Sequence, residues 1–145
     1  MTRESAGPIW PSATPPAASG GVAWELTEVA QLPRVRAELR AHLGPADPEL
    51  RDRLVLALDE MASNALRHGA GGARAAVRRT ESAWLLEVSD TAADRPPSPA
   101  VGRDPSHGGL GLYLIAELAS AHGWYVQDGA KHVWAVLPAS VTPPA

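Results

Sequence analysis

The chain has 145 residues, 20% of them charged, and a net charge of −3, which fits one soluble globular domain without a basic field for direct nucleic-acid binding. It contains no cysteine, which excludes disulfides, thiolate metal sites and a cysteine nucleophile. No apolar run approaches the roughly 20 residues of a membrane helix, and residues 1–20 lack a secretory-type apolar segment, so we expect a cytoplasmic protein that does not enter a membrane.

The two ends of the chain differ in composition from its centre. Residues 1–21 are rich in Pro, Ala, Ser and Gly, which predicts a disordered arm, and residues 139–145 predict a disordered tail. Trp10 lies in this arm. It is a candidate contact for a partner protein, although tryptophan is more often part of a core. One folded domain is therefore expected over residues 22–138.

Within that domain the predicted elements follow one another closely. A strand at 22–26 precedes a helix at 33–43, where Pro33 suits the first turn and Gly44 follows the last. Asp47 caps a second helix that runs to His68. The remaining predicted elements are strands at 73–79 and 84–88, a long loop at 89–108, a helix at 109–121 and strands at 124–127 and 132–137. This order predicts an α+β two-layer sandwich, in which a mixed, mostly antiparallel sheet of about five strands is covered on one face by three helices.

The second helix carries a polar stripe beside its apolar one. Glu60, Asn64 and His68 are four residues apart and so share one side of the helix. An amide oxygen can ligate Mg²⁺, and a carboxylate one turn away can accept a proton from a nucleophile. Taken alone, the same pattern also describes an ordinary solvated helix face.

Two further segments complete the pattern. Asp90 ends a strand, where a carboxylate can accept a hydrogen bond from an exocyclic amine or simply begin a turn. Gly109 and Gly111 open a helix whose first N–H groups can bind phosphate. Glycine inside a helix costs about 1 kcal/mol relative to alanine, which favours a functional reason for both positions.

These segments together resemble a known family. The run from Glu60 through Asn64 to His68-Gly69, then Val-Ser-Asp90, then Gly109-x-Gly111-Leu-x-Leu-Ile, is similar to the nucleotide-binding boxes of the histidine-kinase-like (GHKL) ATPases. The resemblance covers about residues 22–138 and is closest to the small anti-sigma factor serine/threonine kinases.

The resemblance implies ATP and Mg²⁺ as cofactors and a role for each box. Asn64 would hold Mg²⁺ bridging the ATP phosphates, Glu60 would be the general base, and Asp90 would bind adenine. Residues 94–108 would form a lid over the nucleotide. The other residues expected to contact ATP are His68, Arg103, His107, Gly108, Gly109, Leu110, Gly111 and Leu112.

The resemblance also implies a function in partner switching. The expected partners are a STAS-type anti-sigma antagonist, a sigma factor, or both, and kinases of this type are often homodimers. One position departs from the family pattern, since Ala92 stands where a glycine usually follows the adenine-binding aspartate. A non-catalytic ATP-binding interaction module is therefore an alternative, and a histidine-kinase-type catalytic domain that acts on a separate histidine protein is a further one.

Overall fold

The computed structural model describes residues 10–43, 47–68, 71–91 and 110–138. Three helices are present there, α1 (Leu32–Leu43), α2 (Pro48–His68) and α3 (Leu110–Leu118), and a short 3₁₀ turn, Val29–Gln31, precedes α1. The strands are β1 (Ser19–Leu26), β2 (Ala73–Arg79), β3 (Ala83–Asp90), β4 (Ala121–Gln127) and β5 (Ala130–Pro138). In that part of the chain no helix is long and apolar enough to cross a membrane.

The five strands form one sheet in the order β1-β2-β3-β5-β4. Every pairing between these strands is antiparallel, and the one parallel contact in the described segments is an isolated bridge between Ser12 and Trp124. The hairpin between β4 and β5 turns at Asp128 and Gly129, whose φ angles of 53° and 76° match the Asp-Gly turn predicted from the sequence. The α+β sandwich is confirmed.

The main core lies between the sheet and the helices. Alternate residues of β3 and β5 point toward the helices, because side chains along a strand alternate between its two faces. Trp84, Leu86 and Val88 of β3 meet the apolar stripe of α2, which includes Leu54, Leu58 and Met61. The other face of the sheet carries a smaller apolar cluster made of Ala83, Leu85, Trp134 and Val136.

Residues 10–21 depart from the disordered arm predicted over residues 1–21; residues 1–9 of that arm and the predicted tail at 139–145 lie outside the described residues. From Trp10 onward the backbone follows the edge of β4: the Trp124 N–H donates to Pro11 at 3.0 Å, and the Ala13 N–H donates to the Trp124 carbonyl at 2.9 Å. Trp10 is fully buried in the main core. A Cβ on Gly123 would lie 3.0 Å from the Pro11 oxygen, so the glycine permits this close approach.

Residues 13–18 then connect the β4 edge to β1 at the opposite edge of the sheet. Ala13 and Ala18 pack on the smaller apolar cluster as they do so, and the Trp134 Nε1–H donates to the Ala13 carbonyl at 2.8 Å. Composition predicted disorder because residues 1–21 have little apolar surface of their own. Residues 10–18 are ordered because they pack on apolar surface of the sheet, and the composition of their own segment does not reveal that distant contact.

Candidate nucleotide site

Asn64 lies on the buried side of α2 and is only 6% exposed. Its Oδ1 atom is fully buried and has no hydrogen-bond partner among the residues that the structure describes. Leaving a buried acceptor unsatisfied costs about 1–3 kcal/mol, so such an atom in a native fold calls for a ligand or a functional reason. An amide oxygen is a ligand that Mg²⁺ accepts. The donor chemistry of Asn64 therefore fits the cation that the sequence predicts there.

Glu60 precedes Asn64 by one helical turn and is half-buried. Burial raises the pKa of the Glu60 carboxyl, and the negative charge of Asp59 raises it further, while the Arg67 guanidinium opposes both. A general base works best when its pKa approaches the working pH. The surroundings of Glu60 change its acidity in the direction that proton acceptance near neutral pH requires.

Asp90 ends β3 on the side of the sheet that the helices cover. Its side chain lies on the same face of β3 as those of Trp84, Leu86 and Val88, and Asp90 is only 4% exposed. Lys131 of β5 lies directly opposite in the strand register and is also buried, with its Nζ 3.7 Å from Asp90 Oδ2. Asp90 and Asn64 therefore lie on the same side of the sheet, and α2, which carries Asn64, packs on β3.

The third predicted segment begins α3. The helix starts at Leu110, directly after Gly109, so its first N–H groups have no partner within the helix. Gly111 lies in the first turn, and the Leu112 side chain is buried in the core. Leu112 can therefore contribute only its backbone to a phosphate site.

Several predicted site residues lie outside the described residues or are described in part. Arg103, His107, Gly108 and Gly109 fall outside them, as do Ala92 and the predicted lid at 94–108. His68 is the last residue of α2, and the side chains of His68 and Leu110 are not described. The roles of all these residues stay predictions.

Lys131 is the functional candidate that sequence reasoning missed. It is the only lysine of the chain. Along β5 it alternates in phase with Val133, Ala135 and Leu137, which all enter the main core. A single charged residue in the apolar half of an alternating strand pattern indicates a buried charge, and such a charge usually has an oppositely charged partner.

The comparison with family models identifies this arrangement. The model of the histidine kinase-like ATPase domain matches residues 26–137. The chain belongs to this family. The matched range contains α2, the end of β3 and the start of α3, and the five-stranded sheet with three helices is the fold of the histidine-kinase-like ATPases. An ATPase domain of this kind implies ATP binding. No curated protein matches the chain.

The predicted Mg²⁺ has one proposed protein ligand, the Oδ1 atom of Asn64. Within the described ranges, no three His, Asp or Glu residues come together as a metal site. A cation at Asn64 would therefore use the Oδ1 atom together with phosphate oxygens of the nucleotide and water, which is how Mg²⁺ commonly binds in proteins.

The opposite face of the sheet carries a second polar cluster. Glu87 Oε2 accepts a hydrogen bond from the Tyr125 hydroxyl at 2.7 Å and lies 2.7 Å from His132 Nδ1. The Tyr125 and His132 rings stack with their centroids 4.7 Å apart. The cluster adjoins a cavity of about 70 Å³ lined by Arg74, Ala76, Arg78, Glu87, Ser89 and His132.

Proposed function

We propose that this protein is an ATP-binding regulator of the anti-sigma factor type, with serine/threonine kinase activity toward a protein partner. The observation that carries the proposal is the buried Oδ1 of Asn64, which has no partner in the described part of the chain and lies one helical turn from the half-buried carboxyl of Glu60. The two groups provide a cation ligand and a proton acceptor on one side of α2. The similarity of the boxes to those of anti-sigma kinases supports this choice within the family.

Each group has a defined task in this proposal. Asn64 would hold Mg²⁺ beside the ATP phosphates, and Asp90 would accept a hydrogen bond from the adenine amine. The first N–H groups of α3 would bind phosphate oxygens at the positive end of the helix dipole. Bound Mg-ATP would supply the γ-phosphoryl group and leave as ADP, and such transfer depends mainly on positioning and charge neutralisation. Glu60 accepts the proton of the serine or threonine hydroxyl of the partner.

We propose a STAS-type antagonist of an anti-sigma factor as the phosphorylated partner, and a sigma factor as a second one. A phosphate adds roughly two negative charges to an interface and so changes its affinity. Mg²⁺, a homodimeric assembly and a cytoplasmic location belong to the same proposal. Each follows from the resemblance to anti-sigma kinases.

The kinase proposal is tested by phosphate transfer from radiolabelled Mg-ATP to STAS-domain proteins. We expect acid-stable phosphoprotein with the wild type and at least about 100-fold slower transfer with Glu60→Gln, which is the usual loss when a general base is removed. Asp52→Asn is the matched control, because Asp52 is another carboxylate of α2, pairs with Arg40 and lies eight residues from Glu60. Equal transfer by the wild type and Glu60→Gln would contradict the role of Glu60.

A second function is a non-catalytic module that uses ATP to order a surface for a partner. Ala92 favours it, because a side chain replaces the glycine at a position where the family backbone approaches the nucleotide. Stoichiometric nucleotide binding without any transfer would support this module. Acid-labile phosphoprotein would instead favour the histidine-kinase-type reaction.

A further inference from the structure

Lys131 and Asp90 form an ion pair that is withdrawn from water on the helix-covered side of the sheet. Their side chains are 3% and 2% exposed, and Nζ lies 3.7 Å from Oδ2. The register sets this pairing, because Asp90 of β3 and Lys131 of β5 are direct cross-strand partners. From this pair into the sheet, the same face of the two strands continues with the core residues Val88 and Val133, then Leu86 and Ala135.

A separation of 3.7 Å is longer than a hydrogen bond between a nitrogen and a carboxylate oxygen. The ammonium therefore acts on Asp90 mainly through its charge. An ionised carboxylate has about four acceptor positions, so an ion pair at this distance does not exhaust its capacity to accept hydrogen bonds. Lys131 can therefore hold the Asp90 carboxylate in place while that carboxylate still accepts a hydrogen bond from a ligand.

We propose that Lys131 is a positioning residue for nucleobase selection: its ammonium holds the Asp90 carboxylate oriented as an acceptor for the exocyclic amine of adenine. The inference rests on the proposed role of Asp90 in ATP binding and deepens it. A carboxylate that is already held in place loses less freedom when it accepts the amine, so its hydrogen bond contributes more to the affinity for adenine.

The test compares two nucleotides that differ at one group. Purine riboside 5′-triphosphate lacks the exocyclic amine of ATP and is otherwise the same. Calorimetric titration of the full chain with each nucleotide and Mg²⁺ gives two dissociation constants, whose ratio measures what the amine contributes. We expect the wild type to prefer ATP by roughly 10- to 100-fold, as for a hydrogen bond to a charged group.

Lys131→Met should reduce this preference by about tenfold, while Lys131→Arg, which keeps the cation, should retain most of it. Val133→Ala is the matched control, because Val133 is the next helix-facing residue of β5 and is equally part of the core. It should lower the melting temperature and leave the preference unchanged. If Lys131→Met does not fold, Lys131→Gln provides the same comparison with a neutral polar side chain.

The outcomes separate this inference from the proposed function. If Lys131→Met weakens both nucleotides by the same factor, the pair has only a structural role and the inference is overturned. If the wild type binds both nucleotides equally well, Asp90 does not recognise the amine, and the inference fails although ATP binding stands. If the wild type binds neither nucleotide, the proposed function fails and the inference fails with it.

Discussion

Lys131 and His132 are neighbours on β5, but their side chains lie on opposite faces of the sheet and meet different surroundings. Lys131 pairs with Asp90 beneath the helices, where both side chains are almost fully buried. His132 contacts Glu87 and Tyr125 on the face of the sheet away from the helices, called the open face below. There the His132 and Glu87 side chains are 22% and 14% exposed. Two adjacent residues of β5 thus belong to different environments, one to a buried ion pair and the other to a partly solvated hydrogen-bond cluster.

This difference affects stability, because the free energy lost when a polar group loses its partner depends on whether water can reach that group. A buried charge that loses its partner keeps its full desolvation penalty, whereas an accessible group can exchange the lost hydrogen bond for one to water. The two clusters should therefore respond very differently to the loss of one member. The predictions below test that contrast.

The largest expected effect concerns Lys131→Met, which leaves the Asp90 carboxylate buried without its cation. We expect the free energy of unfolding to fall by about 3–5 kcal/mol. Glu87→Gln, on the open face, should cost only about 1 kcal/mol, because an amide oxygen can still accept from the Tyr125 hydroxyl. Urea denaturation of both variants measures the contrast.

A control for this comparison is the double variant Asp90→Asn with Lys131→Met, which removes both charges. It should recover much of the stability lost in Lys131→Met, since no unpaired buried charge remains. Equal losses for Lys131→Met and Glu87→Gln would contradict the contrast between the two faces.

A smaller effect is expected in the alkaline titration of Tyr125. Burial, the hydrogen bond to Glu87 and the charge of Glu87 together raise the pKa of Tyr125 to about 12, while the charge of Arg78 opposes this rise. The folded protein then holds this proton above pH 10, where the unfolded chain has released it. The stability from this group is therefore fully present below about pH 10 and is lost as the pH rises toward 12.

Tyrosinate absorbance in a Tyr113→Phe background isolates Tyr125, since the chain has two tyrosines. Adding Glu87→Gln removes the nearby negative charge and should lower the midpoint toward 10, the ordinary tyrosine value. An ordinary midpoint in the Tyr113→Phe protein itself would mean that the open-face cluster does not exist in solution.

Local patterns predicted the helices and the β4–β5 turn well. The stripe of α2 and the Asp-Gly turn depend on neighbours in sequence, which a local reading includes. Asn64 is buried although asparagine is a mediocre helix former, and its role as a ligand stays a prediction.

The parts that the sequence did not reveal depend on distant contacts. Trp10 is buried because β4, more than 100 positions later, offers an edge and an apolar surface to residues 10–13. The pairing of Asp90 with Lys131 depends on the register between β3 and β5. Periodicity indicates which residues share a face of a strand, but it does not specify which residues of two strands lie opposite each other.

The most direct test of the central claim is thermal unfolding of the wild type and Asn64→Ala, with and without Mg-ATP. A nucleotide at 100 times its dissociation constant should stabilise the wild type by about 2.7 kcal/mol, which raises the melting temperature of a domain this size by several degrees. Asn64→Ala should lose this shift but unfold near the wild-type temperature without ligand, because the Oδ1 atom it removes has no hydrogen-bond partner within the described ranges.

Ser63→Ala, which removes a hydroxyl that bonds Arg67 on the adjacent side of α2, serves as the control and should keep the shift. A Mg-dependent shift that is present in the wild type and in Ser63→Ala, and absent in Asn64→Ala, is the result that this account predicts. An equal shift in Asn64→Ala, or no shift in the wild type at millimolar Mg-ATP, would contradict the nucleotide site.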